Sequence, residues 1–150
     1  MLLDKQNQFS ADTGDNPTAL GSTVSTNIID LGIARDIGGA VTDQLMLLCQ
    51  VTTAFTSGGS ATLQMQFQTA PDNGSGLPGA WSTLAQSDVI PAASLVQGYK
   101  FLPGEVPGGT LRFIRLNYVI ATAVMTGGVL KASLVPSLDL QPAYARAYVA

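Results

Sequence analysis

The sequence predicts an all-β fold, an antiparallel jelly roll or β-sandwich in a single domain. The clearest sign is the stretch TLQMQFQT at residues 62–69, in which Leu63, Met65 and Phe67 alternate with three glutamines. A period of two places one face of a strand in a core and the other toward solvent. Glycine (16 residues) and proline (8 residues) punctuate the chain, and short strands between frequent turns are typical of sandwiches and jelly rolls.

Three parts are predicted within the 150 residues, a length that supports one hydrophobic core. Residues 1–23 are polar and weakly patterned, and they predict an N-terminal arm or loop. Residues 24–135 carry the strand signals and predict the sandwich. Residues 136–150 contain two prolines and no clear period, and they predict a C-terminal tail. We expect the arm and the tail to be disordered alone and to become ordered on a partner.

Seven or eight strands are predicted from seven segments. The most apolar segment, DQLMLLCQVTTAF, indicates a strand covered on both faces, and its β-branched residues and Phe55 favour a strand over a helix. The loop TSGGS joins it to the alternating stretch, which predicts a β-hairpin. A helical turn is expected within IPAASLVQG. The segments lie at residues 24–31, 43–55, 62–69, 81–87, 99–103, 111–121 and 129–135.

Charge is scarce in this chain. Charged residues make up 11% of it, against about 25% in a typical soluble domain. Because charge is depleted from interface cores, we expect neighbouring chains to cover part of the surface; alternatively, Ser, Thr, Asn and Gln solvate the exterior. The net charge of −3 argues against nucleic acid as a partner. No apolar run approaches the ~20 residues that span a bilayer, so no membrane partner is expected.

The residues that usually carry catalysis are also scarce. The chain has no His and one Cys, Cys49, which we interpret as a small buried hydrophobe. Asp12 and Asp15 in DTGD lack the alternating ligands and terminal Glu of a calcium loop, so we interpret them as a solvated turn. Asp88 and Glu105 have no support as paired glycosidase acids. We therefore expect no enzymatic activity, no metal, no cofactor and no small-molecule substrate.

Two arginines interrupt the apolar strand LRFIRLNYVIA. Arg112 falls on the apolar face near the start, which predicts a bulge or a strand end there. An Arg in a neutral region is costly unless it is paired, and its fork suits carboxylates across an interface. We predict that Arg112 and Arg115 form salt bridges between subunits, with Asp30 or Asp36 as local alternatives.

Three aromatic residues have two interpretations. Trp81, Tyr99 and Tyr118 form a sugar-stacking platform if they cluster on an exposed face, or they fill the core of the sandwich. Because the chain has one Trp and aromatic rings dominate core burial, we favour the core.

Several blocks of the chain match a known family in the same order over most of residues 1–135. They are MLLDKQNQFS at the start, STNIIDLG (25–32), ARDIG (34–38), AFTSGGSATLQMQFQT (54–69) and RFIRLNY (112–118). Together they resemble the capsid cement, or decoration, proteins of tailed bacteriophages, of the type found on the short-tailed Bordetella phage.

That resemblance implies a jelly-roll protein without a catalytic site, located in the virion on the outer surface of the phage capsid. It would bind the major capsid protein across joints between subunits and form a homodimer or homotrimer. An alternative from another class is a carbohydrate-binding jelly-roll module of a phage tail or fibre. The side chains predicted at the interface are Leu2, Leu3, Phe9, Arg112, Arg115, Tyr144, Arg146 and Tyr148.

Overall fold

Antiparallel strands form two sheets in the computed structural model, which describes residues 5–38, 45–101 and 104–136. Within these ranges helix is limited to two 3₁₀ turns, Lys5–Asn7 and Ala92–Ser94. The prediction of an all-β fold is therefore confirmed. The strands are β1 (Gly21–Val24), β2 (Ile29–Asp30), β3 (Leu45–Thr56), β4 (Thr62–Ala70), β5 (Ser82–Gln86), β6 (Ile90–Pro91), β7 (Phe113–Ala121) and β8 (Gly127–Pro136).

The larger sheet is built on β4 and β7, which pair along nine positions of each strand. Its order is β1-β7-β4-β5, with β2 also paired to β7 and β6 to β4. The predicted strand at 24–31 is thus two short strands on the same neighbour. Arg112 lies just before β7, as expected for a residue at a strand end. In β4 the alternation of buried and half-buried residues follows the predicted period of two.

The smaller sheet pairs β3 with β8. Leu47 lies opposite Leu134, Cys49 opposite Ala132 and Val51 opposite Leu130. These six side chains are buried in the same core as the inward residues of β4 and β7. The core therefore lies between the two sheets, as in a sandwich. On the outer face of β3, which was predicted to be covered on both sides, Met46 and Leu48 are only half-buried.

The predicted hairpin between β3 and β4 is wrong. β3 pairs with β8 and β4 with β7, so residues 57–61 cross from the small sheet to the large one, and residues 122–126 cross back. The two crossings lie side by side, since the Thr126 N–H donates to the Thr56 carbonyl at 2.7 Å. β3 and β4 each carry an apolar face. Because the two strands lie in different sheets, these faces pack against each other across the core.

The segment predicted as an N-terminal arm packs on the sandwich from residue 8 onward. Gln8 pairs with Ser133 and Asp15 with Leu130, both on β8. Phe9 has 0% exposure, and its ring meets that of Phe67 edge to face at 6.1 Å. This part of the chain therefore covers one edge of the small sheet.

The other edge of the small sheet is covered by the segment around residues 98–105. Phe101 N–H donates to the Cys49 carbonyl at 3.0 Å, and Gly98 N–H donates to the Val51 carbonyl at 2.8 Å. The predicted strand at 99–103 is reduced to a single bridge between Lys100 and Gln50, and residues 102–103 lie outside the described part. With both edges paired, the small sheet offers few free backbone groups to other chains.

In the motif DTGD, which was interpreted as a solvated turn, the second aspartate is buried. Asp15 has 6% exposure, and its carboxylate accepts hydrogen bonds from the Tyr118 hydroxyl at 3.0 Å and from the Thr26 hydroxyl at 2.5 Å. Asp12 remains exposed and pairs with Lys5 at 3.5 Å. The turn can bring Asp15 inward because Gly14 adopts a φ of 91°, which side chains with a Cβ rarely tolerate.

Candidate functional site: the outer face of the large sheet

The outer face of the large sheet is polar but almost uncharged. Gln64 lies opposite Val119, Gln66 opposite Asn117 and Gln68 opposite Arg115 across β4 and β7. These side chains point away from the core because their neighbours in the period of two point into it. We call this surface the amide face, and it consists of Gln64, Gln66, Gln68, Trp81, Arg115, Asn117 and Val119.

Hydrogen bonds hold the side chains of the amide face in fixed positions. The Asn117 amide donates to Gln66 Oε1 at 2.8 Å, and the Arg115 Nε donates to Gln68 Oε1 at 2.9 Å. Gln64 Nε2 donates to the Ser87 carbonyl at 2.9 Å. A surface whose side chains are already ordered loses less conformational entropy when a partner binds.

Arg115 lies over Trp81. The guanidinium carbon is 4.0 Å from the centre of the indole ring, and both residues are half-buried. Trp81 reaches this position because β5, which starts at Ser82, pairs with β4 beside Gln68. Partial burial lowers the pKa of Arg115, and the face of the ring stabilises the cation.

Arg115 has no carboxylate partner among the residues that the structure describes. The ion pairs found there join Lys5 to Asp12 and Arg112 to two aspartates. Next to Arg115 on the same face, Asn117 has 5% exposure, and its Oδ1 is buried without a hydrogen-bond partner in this part of the chain. Within the described residues, the amide face thus carries a cation, Arg115, without an anionic partner.

Arg112 has a different environment, at the end of the same sheet. Its Nε and Nη2 each donate to the Asp30 carboxylate at 2.9 Å, and its Nη1 donates to Asp72 Oδ2. Arg112 therefore forms salt bridges within its own chain in place of the predicted one between subunits. One of its two partners, Asp30, is a local alternative named in the sequence analysis. The guanidinium of Arg112 reaches both carboxylates because β2 ends, and the loop after β4 begins, beside the start of β7.

These ion pairs shift the pKa values of the groups in them. The hydrogen bond from Arg112 lowers the pKa of Asp30. The backbone N–H of Gly74 is the main cause of the lowered pKa of Asp72, with a smaller contribution from Arg112. The bond to Asp30 raises the pKa of Arg112. All three groups are therefore charged near neutral pH, and they fix two loops to the large sheet.

Asp36, the other local alternative, pairs with no arginine among the described residues. Its carboxylate accepts from the backbone N–H of Gly109 at 2.8 Å and of Gly38 at 3.0 Å. The Gly109 bond is the main reason for its lowered pKa. Asp36 joins two loops and takes no part in the amide face.

Three of the predicted interface residues lie in the described part of the chain, and they do not share one surface. Phe9 is a core residue of its own chain and has no exposed ring to offer a partner, which corrects the prediction. Arg112 is occupied by carboxylates of its own chain, and Arg115 lies on the amide face. Leu2, Leu3, Tyr144, Arg146 and Tyr148 lie outside the described residues.

The three aromatic residues considered as a sugar platform are separated. Tyr118 is buried in the core with 0% exposure. Tyr99 contacts Phe101 edge to face at 5.3 Å, beside the small sheet. Trp81 has one face of its ring under Arg115. The three rings therefore do not cluster on an exposed face, which is the arrangement that would have favoured carbohydrate binding.

The described residues contain no cluster of three or more His, Cys, Asp or Glu side chains that could hold a metal ion. Cys49 is buried, and burial raises the pKa of its thiol, which disfavours the reactive thiolate. Among these same residues no helix has the length and apolar composition of a membrane span.

Sequence reasoning missed Trp81 and Asp72 as partners of the two arginines. Asp72 lies 40 positions from Arg112, and nothing in the local pattern connects them. A signal was present for Asp72 alone: in PDNG an Asp two residues before a Gly commonly accepts the backbone N–H of that Gly, as Asp72 does from Gly74 at 2.8 Å.

The family model described as Bbp16 matches residues 14–134, which is more than half of the chain and includes every strand from β1 to β7 and most of β8. No curated protein matches.

Proposed function

The chain belongs to the Bbp16 family, whose name indicates a Bordetella phage protein, and we propose that this phage protein is a capsid cement protein. It binds the outer surface of the phage head and bridges neighbouring subunits of the major capsid protein. It acts as a structural component of the virion, in small homo-oligomers, without enzymatic activity or a cofactor.

The observation that carries this proposal is the amide face. Its side chains are ordered by hydrogen bonds before any partner arrives, and amide groups both donate and accept. Such a surface fits contact with another protein better than chemistry on a small molecule. Charge is depleted from the cores of protein interfaces, and this face has Arg115 as the one ionic group among its seven residues.

Rigidity supports the same proposal. The N-terminal segment and the segment around residues 98–105 cover both edges of the small sheet, and Arg112 fixes two loops to the large sheet. A protein that transmits load between capsid subunits needs a body that does not deform. Each copy can bind weakly, because contact with two or more subunits gives an avidity well above the affinity of a single contact.

Phage heads assembled with and without the chain test the proposal. We expect regular density for the sandwich on the outer shell in a cryo-electron microscopy map of heads that carry it. Heads that lack it should rupture at a lower temperature, and added protein should restore their stability. Density confined to the tail, or heads that neither bind the protein nor gain stability from it, would contradict the proposal.

A further inference from the structure

We propose that Arg115, held between Trp81 and Gln68, is the docking point for an acidic side chain of the capsid protein. The inference rests on the proposed function and specifies the partner group that the amide face receives. The two arginines of the β7 region have different partners. Arg112 binds two carboxylates of its own chain, whereas Arg115 binds none among the described residues.

The contacts of Arg115 leave a defined part of the guanidinium available. Its Nε is used by Gln68 at 2.9 Å, and one face of the group is used by the Trp81 ring at 4.0 Å. No partner for the two terminal nitrogens is found in the described part of the chain. These nitrogens present parallel N–H groups at a spacing that matches the two oxygens of a carboxylate. Because Trp81 and Gln68 fix the orientation, little further ordering is needed when the carboxylate binds.

A second copy of this chain is a poorer source of that carboxylate. Most of its described acids are already engaged by groups of their own chain, namely Asp12, Asp15, Asp30, Asp36 and Asp72. Two copies that each carry a net charge of −3 also repel each other. A different chain is therefore the better source, and under the proposed function this is the major capsid protein.

The test compares the binding of variants to phage heads assembled without the chain. Arg115→Gln removes the fork, Arg115→Lys retains the charge but not the fork, and Arg35→Gln removes the same charge at an exposed loop position. Bound protein is measured by sedimentation with the heads over a range of protein and salt concentrations. Thermal unfolding of each free variant shows that it is folded.

We expect Arg115→Gln to bind about tenfold more weakly or worse, since loss of one partner of a desolvated charge pair has at least this effect. Arg115→Lys should be intermediate, and Arg35→Gln should bind like the wild type. The salt dependence of binding should be smaller for Arg115→Gln than for the wild type.

The outcomes separate the inference from the proposed function. If the wild type binds heads and folded Arg115→Gln binds equally well, the inference is wrong and the proposed function stands. If both arginine-to-glutamine variants lose affinity equally, general electrostatic attraction replaces a specific docking point. If Arg115→Gln instead dissociates the free oligomer, the carboxylate comes from a second copy and the occupant named here is wrong. If the wild type does not bind heads, the proposed function itself fails.

Discussion

The hydroxyl of Tyr118 donates a hydrogen bond of 3.0 Å to the Asp15 carboxylate, inside a core where Tyr118 is fully buried. This bond joins the N-terminal segment to the central strand of the large sheet. It is a polar contact between parts of the chain 103 positions apart, and the low polarity around it makes it costly to leave either group unsatisfied.

Tyr118→Phe should therefore lower the free energy of unfolding by about 1–3 kcal/mol, because Asp15 loses a donor while the ring volume is kept. Equilibrium unfolding in urea at pH 7 measures the loss. The matched control is Tyr99→Phe, since Tyr99 is half-buried and lies beside the small sheet. An equal loss in both variants would show that the bond to Asp15 contributes nothing specific.

The same tyrosine predicts a loss of stability at alkaline pH. Burial is the main cause that raises the pKa of Tyr118 well above its ordinary value of 10. A pKa raised in the folded state favours the folded chain below the pKa of the unfolded state, and this advantage decreases as the pH rises above about 10. Urea unfolding from pH 8 to 11 should show a steeper decrease for the wild type than for Tyr118→Phe. Parallel curves would contradict the assignment.

Phe9→Ala should destabilise the protein by about 3–5 kcal/mol, because it empties a fully buried site beside Phe67. Phe9→Leu should have a smaller effect, because most of the volume is kept. Both values are measured by urea unfolding. If Phe9→Ala retained wild-type stability, the N-terminal segment would be a free arm, as predicted from the sequence, and not part of the folded body.

The strands could be predicted from the sequence, but their partners could not. The alternation in β4 and the apolar positions of β7 locate both strands to within two residues, because a period of two is visible locally. The loop TSGGS fits either a hairpin or a crossing between sheets. The choice depends on how apolar faces meet across the core, and this is a property of the whole chain.

The candidate site was predictable only in part. An arginine in an apolar strand is visible in the sequence, so Arg112 and Arg115 could be named. Their different environments depend on Asp72 and Trp81, which belong to a loop and a strand that only the fold brings near β7. Phe9 was misplaced for a similar reason: a lone aromatic residue in a polar segment has no period to show which way it points.

Arg112→Gln should weaken folding and also change its dependence on acid. The pKa of Asp30 is lowered chiefly by its hydrogen bond from Arg112, so this pair stabilises the fold above the unfolded-state pKa of about 3.9 and stops doing so as the pH falls through the folded-state value. Thermal unfolding from pH 7 to pH 2 should show a smaller decrease for Arg112→Gln than for the wild type.

Asp72 provides the control for that experiment. Backbone N–H groups of Gly74 and Gly76 also lower its pKa, so the contribution of Asp72 to the acid dependence should survive in Arg112→Gln and be lost in the double variant with Asp72→Asn. The contribution of Asp36 should remain in both variants. The charge-matched control Arg35→Gln should keep the full acid dependence of the wild type. If Arg35→Gln flattened the curve as much as Arg112→Gln, net charge and not the ion pairs would explain the effect.

Cys49 should be inert in the folded protein and report on its opening. The side chain is 1% exposed in the centre of β3, and burial raises the pKa of its thiol, so both access and thiolate formation require the sandwich to open. With a disulfide reagent at pH 8, the native chain should react at least a thousandfold more slowly than the chain in urea. Tyr118→Phe and Phe9→Ala should accelerate the reaction about tenfold for each 1.4 kcal/mol of stability that they lose. Rapid labelling of the native wild type would mean that β3 and β8 separate locally, and the small sheet could then not serve as a rigid half of the sandwich.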